Sequence, residues 1–191
     1  GVVDEGMGDT AKALFTYDQA IRILMTVQSN GVELANALDK KGNLCASNFE
    51  QALECYNQSL NIRAELGDEV MVANTKNNIG VTLCAMTDLE RAMAFTAESL
   101  RVKTKSLGKD SVETANSLVD AGQIYLGRKQ YAVASKFFLE GLRILKSRLE
   151  SDHPDIATCL YKIGVAKEAM MDEDGALDCY LQSIEIFKLG G

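Results

Sequence analysis

The single histidine, His153, and five cysteines are where bond-making chemistry would be sought first. His153 stands directly before Pro154, a pairing that suits the start of a helix better than acid–base work. Cys45, Cys55, Cys84, Cys159 and Cys179 are odd in number and contain no C-x-x-C. They read as small, buried thiols within predicted helices. The acids Asp172, Glu173 and Asp174 lack the alternating oxygen ligands of a calcium loop and read as the approach to a helix. No G-x-S-x-G elbow and no phosphate-cradling glycine loop is present. Amide chemistry remains. The stretch VANTKNNIG, residues 72–80, holds Asn74, Asn77 and Asn78 in what reads as a helix, although each asparagine costs about 0.5 kcal/mol against alanine there. Asn36, Asn74, Asn116 and Thr158 each stand six residues before a glycine. A primary amide offers both a donor and an acceptor, which is what holding another peptide backbone requires.

Positioning those groups is the task of the rest of the chain. Its 191 residues are 47% apolar and 25% charged, with one proline and no tryptophan, an ordinary composition for a folded helical protein. The net charge is −7 with a pI near 4.8. A nucleic-acid partner wants a basic stripe, and no lysine–arginine cluster supplies one. No apolar run approaches a membrane span, and the N-terminus lacks a signal-peptide pattern. These features predict a cytoplasmic protein without cofactor, metal or catalytic residues. Met170 and Met171 are expected to pack at a helix end.

Self-similarity organises the chain. ALFTYDQAIRI, ALECYNQSLNI, AMAFTAESLRV, ASKFFLEGLRI and ALDCYLQSIEI begin at Ala13, Ala52, Ala92, Ala134 and Ala176, spaced by 39, 40, 42 and 42 residues. Each has a small residue at offset seven and aliphatics at eight and ten, a stripe at helical spacing. Between them Gly42, Gly80, Gly122 and Gly164 each follow an alanine by seven: Ala35, Ala73, Ala115 and Ala157. Twelve residues before these glycines stand Asn30, Asp68, Asp110 and Asp152, all good N-cap types. Glu33, Glu113 and Asp155 follow three of them, where an acid complements the helix dipole. Each unit therefore reads as two helices, an A helix bearing the glycine and a B helix bearing the alanine. One pair cannot bury its own apolar face, so the pairs must stack. The predicted units are 1–27 (partial, its B helix starting near Asp9), 28–66, 67–106, 107–148 and 149–191.

NIG, KIG, IYLG, ALECY and ALDCY resemble the tetratricopeptide repeat family over essentially the whole chain. The 42-residue period, with LESDHPDIATCLYKIG and LGKDSVETANSLVDAG, looks like the kinesin-light-chain subgroup. Lys41 and Lys76 depart from the aliphatics expected there. The resemblance implies an all-α, right-handed superhelical α-solenoid of antiparallel helix pairs, whose A helices line a concave groove. The groove positions it implies include Asn36, Asn43, Asn74, Asn77, Asn78, Asn116 and Thr158 as polar contacts. Asp39, Val81, Val119, Gln123, Tyr161 and Val165 would read side chains. It implies an adaptor or scaffold that captures an extended or helical segment of another protein. A structural or dimerisation spacer, and the regulatory domain of an enzyme lying elsewhere, are the alternatives. The family's chaperone-tail clamp would need Asn43 and Asn78 beside three basic residues. Asp39, Asn116 and Asp120 occupy the basic places, so an acidic tail is not the expected guest. The first and last helices would show uncovered faces, open to self-association.

Overall fold

The computed structural model describes residues 2–26, 31–45 and 48–189, with side chains from Thr10 to Lys188 within them. Nine α-helices and no strands occur among these residues: α1 (Val2–Thr26), α2 (Val32–Leu44), α3 (Phe49–Leu66), α4 (Glu69–Ala85), α5 (Leu89–Leu107), α6 (Val112–Gly127), α7 (Tyr131–Arg148), α8 (Pro154–Ala169) and α9 (Glu173–Leu189). Helices α2/α3, α4/α5, α6/α7 and α8/α9 form the A/B pairs, and α3, α5 and α7 each also meet the next A helix. In addition α4 touches α6 and α6 touches α8, so the A helices crowd together along one side of the stack. That crowding makes theirs the inner wall.

The recurring glycine is explained by its opposite number on the B helix. A methyl on Gly42, Gly122 or Gly164 would lie 2.6, 2.5 and 2.5 Å from the rings of Tyr56, Phe138 and Tyr180. At Gly80 the opposing group is the Thr96 hydroxyl, with Ala92 O at 3.2 Å. The close crossing gains dispersion contacts that offset the roughly 1 kcal/mol cost of a helical glycine. Three turns between A and B use a left-handed residue at the same register, Thr87, Lys129 and Met171. Met171 is thus 81% exposed at a turn rather than packed against a helix end, because its backbone conformation points it out of the stack.

The caps divide. Asp68 accepts from Met71 N as expected. The other starts shift by one residue. Ser111 caps α6 and His153 caps α8, its Nδ1 accepting from Asp155 N at 3.1 Å. Asp110 is diverted into an ion pair with Arg143 at 2.7 Å. The expected cap Asn30 lies outside the described residues. A larger departure is α1, a single helix from Val2 where a B helix starting near Asp9 was expected. Residues 2–8 continue the helix, each adding a backbone hydrogen bond to it.

Candidate functional site: the inner wall of A helices

Side-chain bonds stitch the A helices together. Thr75 of α4 donates to Asp39 of α2 at 3.2 Å. Asn77 of α4 donates to Asp120 of α6. Asn116 of α6 donates to Asp155 of α8 at 3.3 Å, and Lys162 of α8 donates to Gln123 of α6 at 2.8 Å. This answers part of the asparagine puzzle in α4: Asn77 is 7% exposed and serves as a tie between layers.

The register six before the glycine stays accessible. Asn36 and Thr158 are exposed, and Asn74 and Asn116 are half-buried. Asn36 accepts from Arg63 at 2.9 Å through Oδ1, leaving its amide nitrogen unengaged by the described residues. Asn74 and Asn116 use their nitrogens, toward Met71 Sδ at 3.4 Å and Asp155, and leave their oxygens as acceptors. Across the three asparagines, one donor and two acceptors are thus left without a partner among the described residues. Asn78 is half-buried, Val81 and Tyr161 are exposed, and Gln123 and Val165 are half-buried on the same wall. Between α6 and α8 a pocket of about 250 Å³ is lined by Asn116, Val119, Asp120, Leu145, Asp155, Thr158 and Lys162. A crevice of about 390 Å³ between α3, α4 and α5 lies around the Lys76–Glu98 ion pair and does not touch the ladder.

Asp39 and Asn77 are buried beneath this surface, so in this geometry they form its floor instead of contacting a guest, while the largely buried Val119 shows only at the bottom of the α6/α8 pocket. Their burial follows from the layer contacts each makes: Asp39 with Arg63 and Thr75, Asn77 with Asp120, and Val119 in the core around Phe138. Asn43 accepts from the Tyr56 hydroxyl at 2.7 Å and so braces its own pair.

Below the ladder runs a line of buried charge that sequence reading passed over. Arg63 bonds Asp39 Oδ2 at 2.7 Å and Ser59 at 3.0 Å. Lys103, 5% exposed, donates to Ser117 at 2.9 Å. Burial raises the pKa of Asp39, opposed by the Ser59, Arg63 and Thr75 groups around it. Burial likewise raises Asp120, opposed by its bond from Asn77 and by Lys162 and Lys103. Burial lowers Lys103, opposed by Asp120 and Glu113. The signal was available: Leu24, Arg63, Lys103, Leu145 and Phe187 each stand eleven after the B-helix alanine, and two cations in an otherwise apolar register mark a buried polar layer. The departures Lys41 and Lys76 also resolve into ion pairs, with Asp18 at 2.7 Å and Glu98 at 2.6 Å.

Burial pushes the cysteine thiols up, Cys159 to about 12, which leaves them protonated and unreactive near neutral pH. No group of three metal-ligating side chains occurs among the described residues. None of their helices is long and apolar enough to cross a membrane.

Comparison with known proteins agrees with this geometry. Residues 71–147 match the tetratricopeptide repeat family model. The same helix pair recurs on both sides of that segment, and the fold is an all-α helical-repeat solenoid of the TPR-like kind. Its 42-residue spacing is consistent with the kinesin-light-chain-like subgroup. A human protein named clustered mitochondria protein homolog is 27% identical over 180 residues, 87% of this chain and 14% of that protein. The chain therefore spans a small part of that relative's length. Among solved structures, a Rap protein complexed with Competence and Sporulation Factor has a TM-score of 0.82 at 15% identity, covering 97% of this chain and 51% of that one. A Podosopora anserina protein of kinesin-light-chain type with nearly identical TPR-like repeats has a TM-score of 0.67 at 16% identity, covering 95% and 88%. At these identities the likeness is one of fold. Arrays of this family are in general protein-interaction scaffolds.

Proposed function

We propose that the inner wall of α2, α4, α6 and α8 captures an extended or helical segment of another protein, and that the chain acts as an adaptor instead of an enzyme. The observation that carries this is the accessible same-register series Asn36, Asn74, Asn116 and Thr158 on successive A helices, in which each asparagine keeps one side-chain polar atom without a partner among the described residues. A guest backbone accepts from Asn36 and donates to Asn74 and Asn116, which grips it with little regard to its sequence. Side chains of the guest meet Val81, Gln123 and Tyr161. The solved Rap complex supports the reading only in that a similar fold occurs there in a complex with Competence and Sporulation Factor.

Partner capture from a lysate of the source cells, followed by mass spectrometry, tests it. The wild-type chain is expected to enrich a defined protein set that the folded Asn36→Ala/Asn74→Ala/Asn116→Ala variant loses. Retention of the same set by the triple variant contradicts the groove.

A further inference from the structure

The pocket between α6 and α8 has a charge pattern of its own. Asp120, Asp155 and Lys162 line it, two carboxylates against one ammonium. Lys162 is committed to Gln123 Oε1 at 2.8 Å. Among the described residues no lysine or arginine forms an ion pair with Asp120 or Asp155. The buried Asp39, by contrast, has Arg63 on it at 2.7 Å. His153 Nδ1 lies 4.0 Å from Asp155, but it accepts from the Asp155 backbone N–H and so does not offer a proton there. Burial raises the pKa of Asp120 in spite of its bond from Asn77 and the more distant Lys162 and Lys103. The lining is therefore short of one cation.

Its hydrogen bonding has the same bias. Asp120 and Asp155 each accept through Oδ2, from Asn77 and from Asn116 Nδ2. Both Oδ1 atoms, and Asn116 Oδ1, are left without a partner among the described residues. A guest rich in donors and free of acceptors meets that need, and lysine and arginine side chains are donors only. Val119 and Leu145 add an apolar stretch to the lining, which suits the methylene stem that carries such a head group. The volume of about 250 Å³ holds one long side chain in place of roughly eight waters. An anion would meet two carboxylates, and no group of three metal-ligating side chains occurs among the described residues. We propose that the α6/α8 pocket takes a lysine or arginine side chain of the bound segment, so that the inner wall selects a guest with a basic residue at one fixed place. This rests on the reading of the inner wall as the surface that holds a guest, and adds what selects that guest. The amide ladder grips any backbone; the pocket discriminates by charge.

Panning a random peptide display library on the 191-residue chain tests the proposal. Enriched peptides are expected to share one lysine or arginine at a fixed place. In fluorescence anisotropy with one such peptide, replacing that residue by a neutral isostere (citrulline for arginine, acetyl-lysine for lysine) is expected to weaken binding about tenfold or more. Asp120→Asn/Asp155→Asn, which keeps the shape of both side chains, is expected to weaken the charged peptide by as much and to leave the neutral one unchanged. Thr158→Lys, at an exposed position of the same pocket, is expected to weaken the charged peptide too, with unaltered circular dichroism. Enrichment without a basic position overturns the pocket alone, as does indifference of the charged peptide to both variants. Peptides that depend on Asp120 and Asp155 yet survive Asn36→Ala/Asn74→Ala, two changes outside the pocket, support the pocket and contradict the ladder. Failure to enrich any peptide overturns the inner-wall reading and the pocket with it.

Discussion

Thr96 illustrates how much a single side chain can say about a repeat. It stands four after its B-helix alanine, where Tyr56, Phe138 and Tyr180 place rings on the glycine of their own A helix. The Thr96 hydroxyl is buried and has no hydrogen-bond partner among the described residues. An unsatisfied buried hydroxyl costs about 1–3 kcal/mol, and an apolar group of the same shape avoids that cost. Thr96→Val is accordingly expected to raise stability by about 1 kcal/mol, read as a higher midpoint in urea. An unchanged or lowered midpoint would show that the hydroxyl is satisfied in solution. Asn77 makes the complementary point. Its register implies contact with a guest, but it is buried and bonds Asp120 across a layer. Spacing alone distinguishes the faces of a helix; it does not say which neighbouring helix a side chain will reach.

At the scale of elements, the helix pairing was legible because three registers agree: the alanine, the glycine, and the small residue at offset seven. Ser59 and Ser183 show why that last register is small, donating to Ala35 O at 3.1 Å and Ala157 O at 2.8 Å across the A/B crossing. The start of α1 was not legible, since whether a short segment folds back depends on a neighbour and not on its own residues. Nor were the interlayer bonds of Asp39, Asn77 and Asp120, which come from tertiary packing. The buried Lys103 gives this scale its prediction. Its folded-state pKa is depressed, so the folded protein binds the proton less readily than the unfolded chain, whose lysine titrates near 10.5. The penalty of the buried charge is present below the folded-state pKa and fades as pH rises toward the unfolded value. Lys103→Met, which restores the apolar register of Leu24 and Leu145, is expected to stabilise the protein by about 1 kcal/mol at neutral pH. That gain should shrink as the pH approaches 10.5. A loss of stability, or a gain independent of pH, contradicts this account of Lys103.

The whole molecule is a curved stack whose inner wall is tied by hydrogen bonds from α2 to α8 and whose outer helices meet solvent. Rigidity of this kind favours recognition: a guest pays for its own ordering and little for the host's. The inner wall mixes Asp120 and Asp155 with Lys162 and neutral amides. The central claim, that the inner wall is where a partner lies, is tested most directly by site-specific photocrosslinking. A photoreactive residue placed at Thr158 or Tyr161 on the inner wall, or at the exposed Leu139 on the opposite helix layer, reports what each face touches. With captured partner present, adducts are expected from Thr158 and Tyr161 and not from Leu139. Adducts from Leu139 with none from the two inner positions would contradict the assignment.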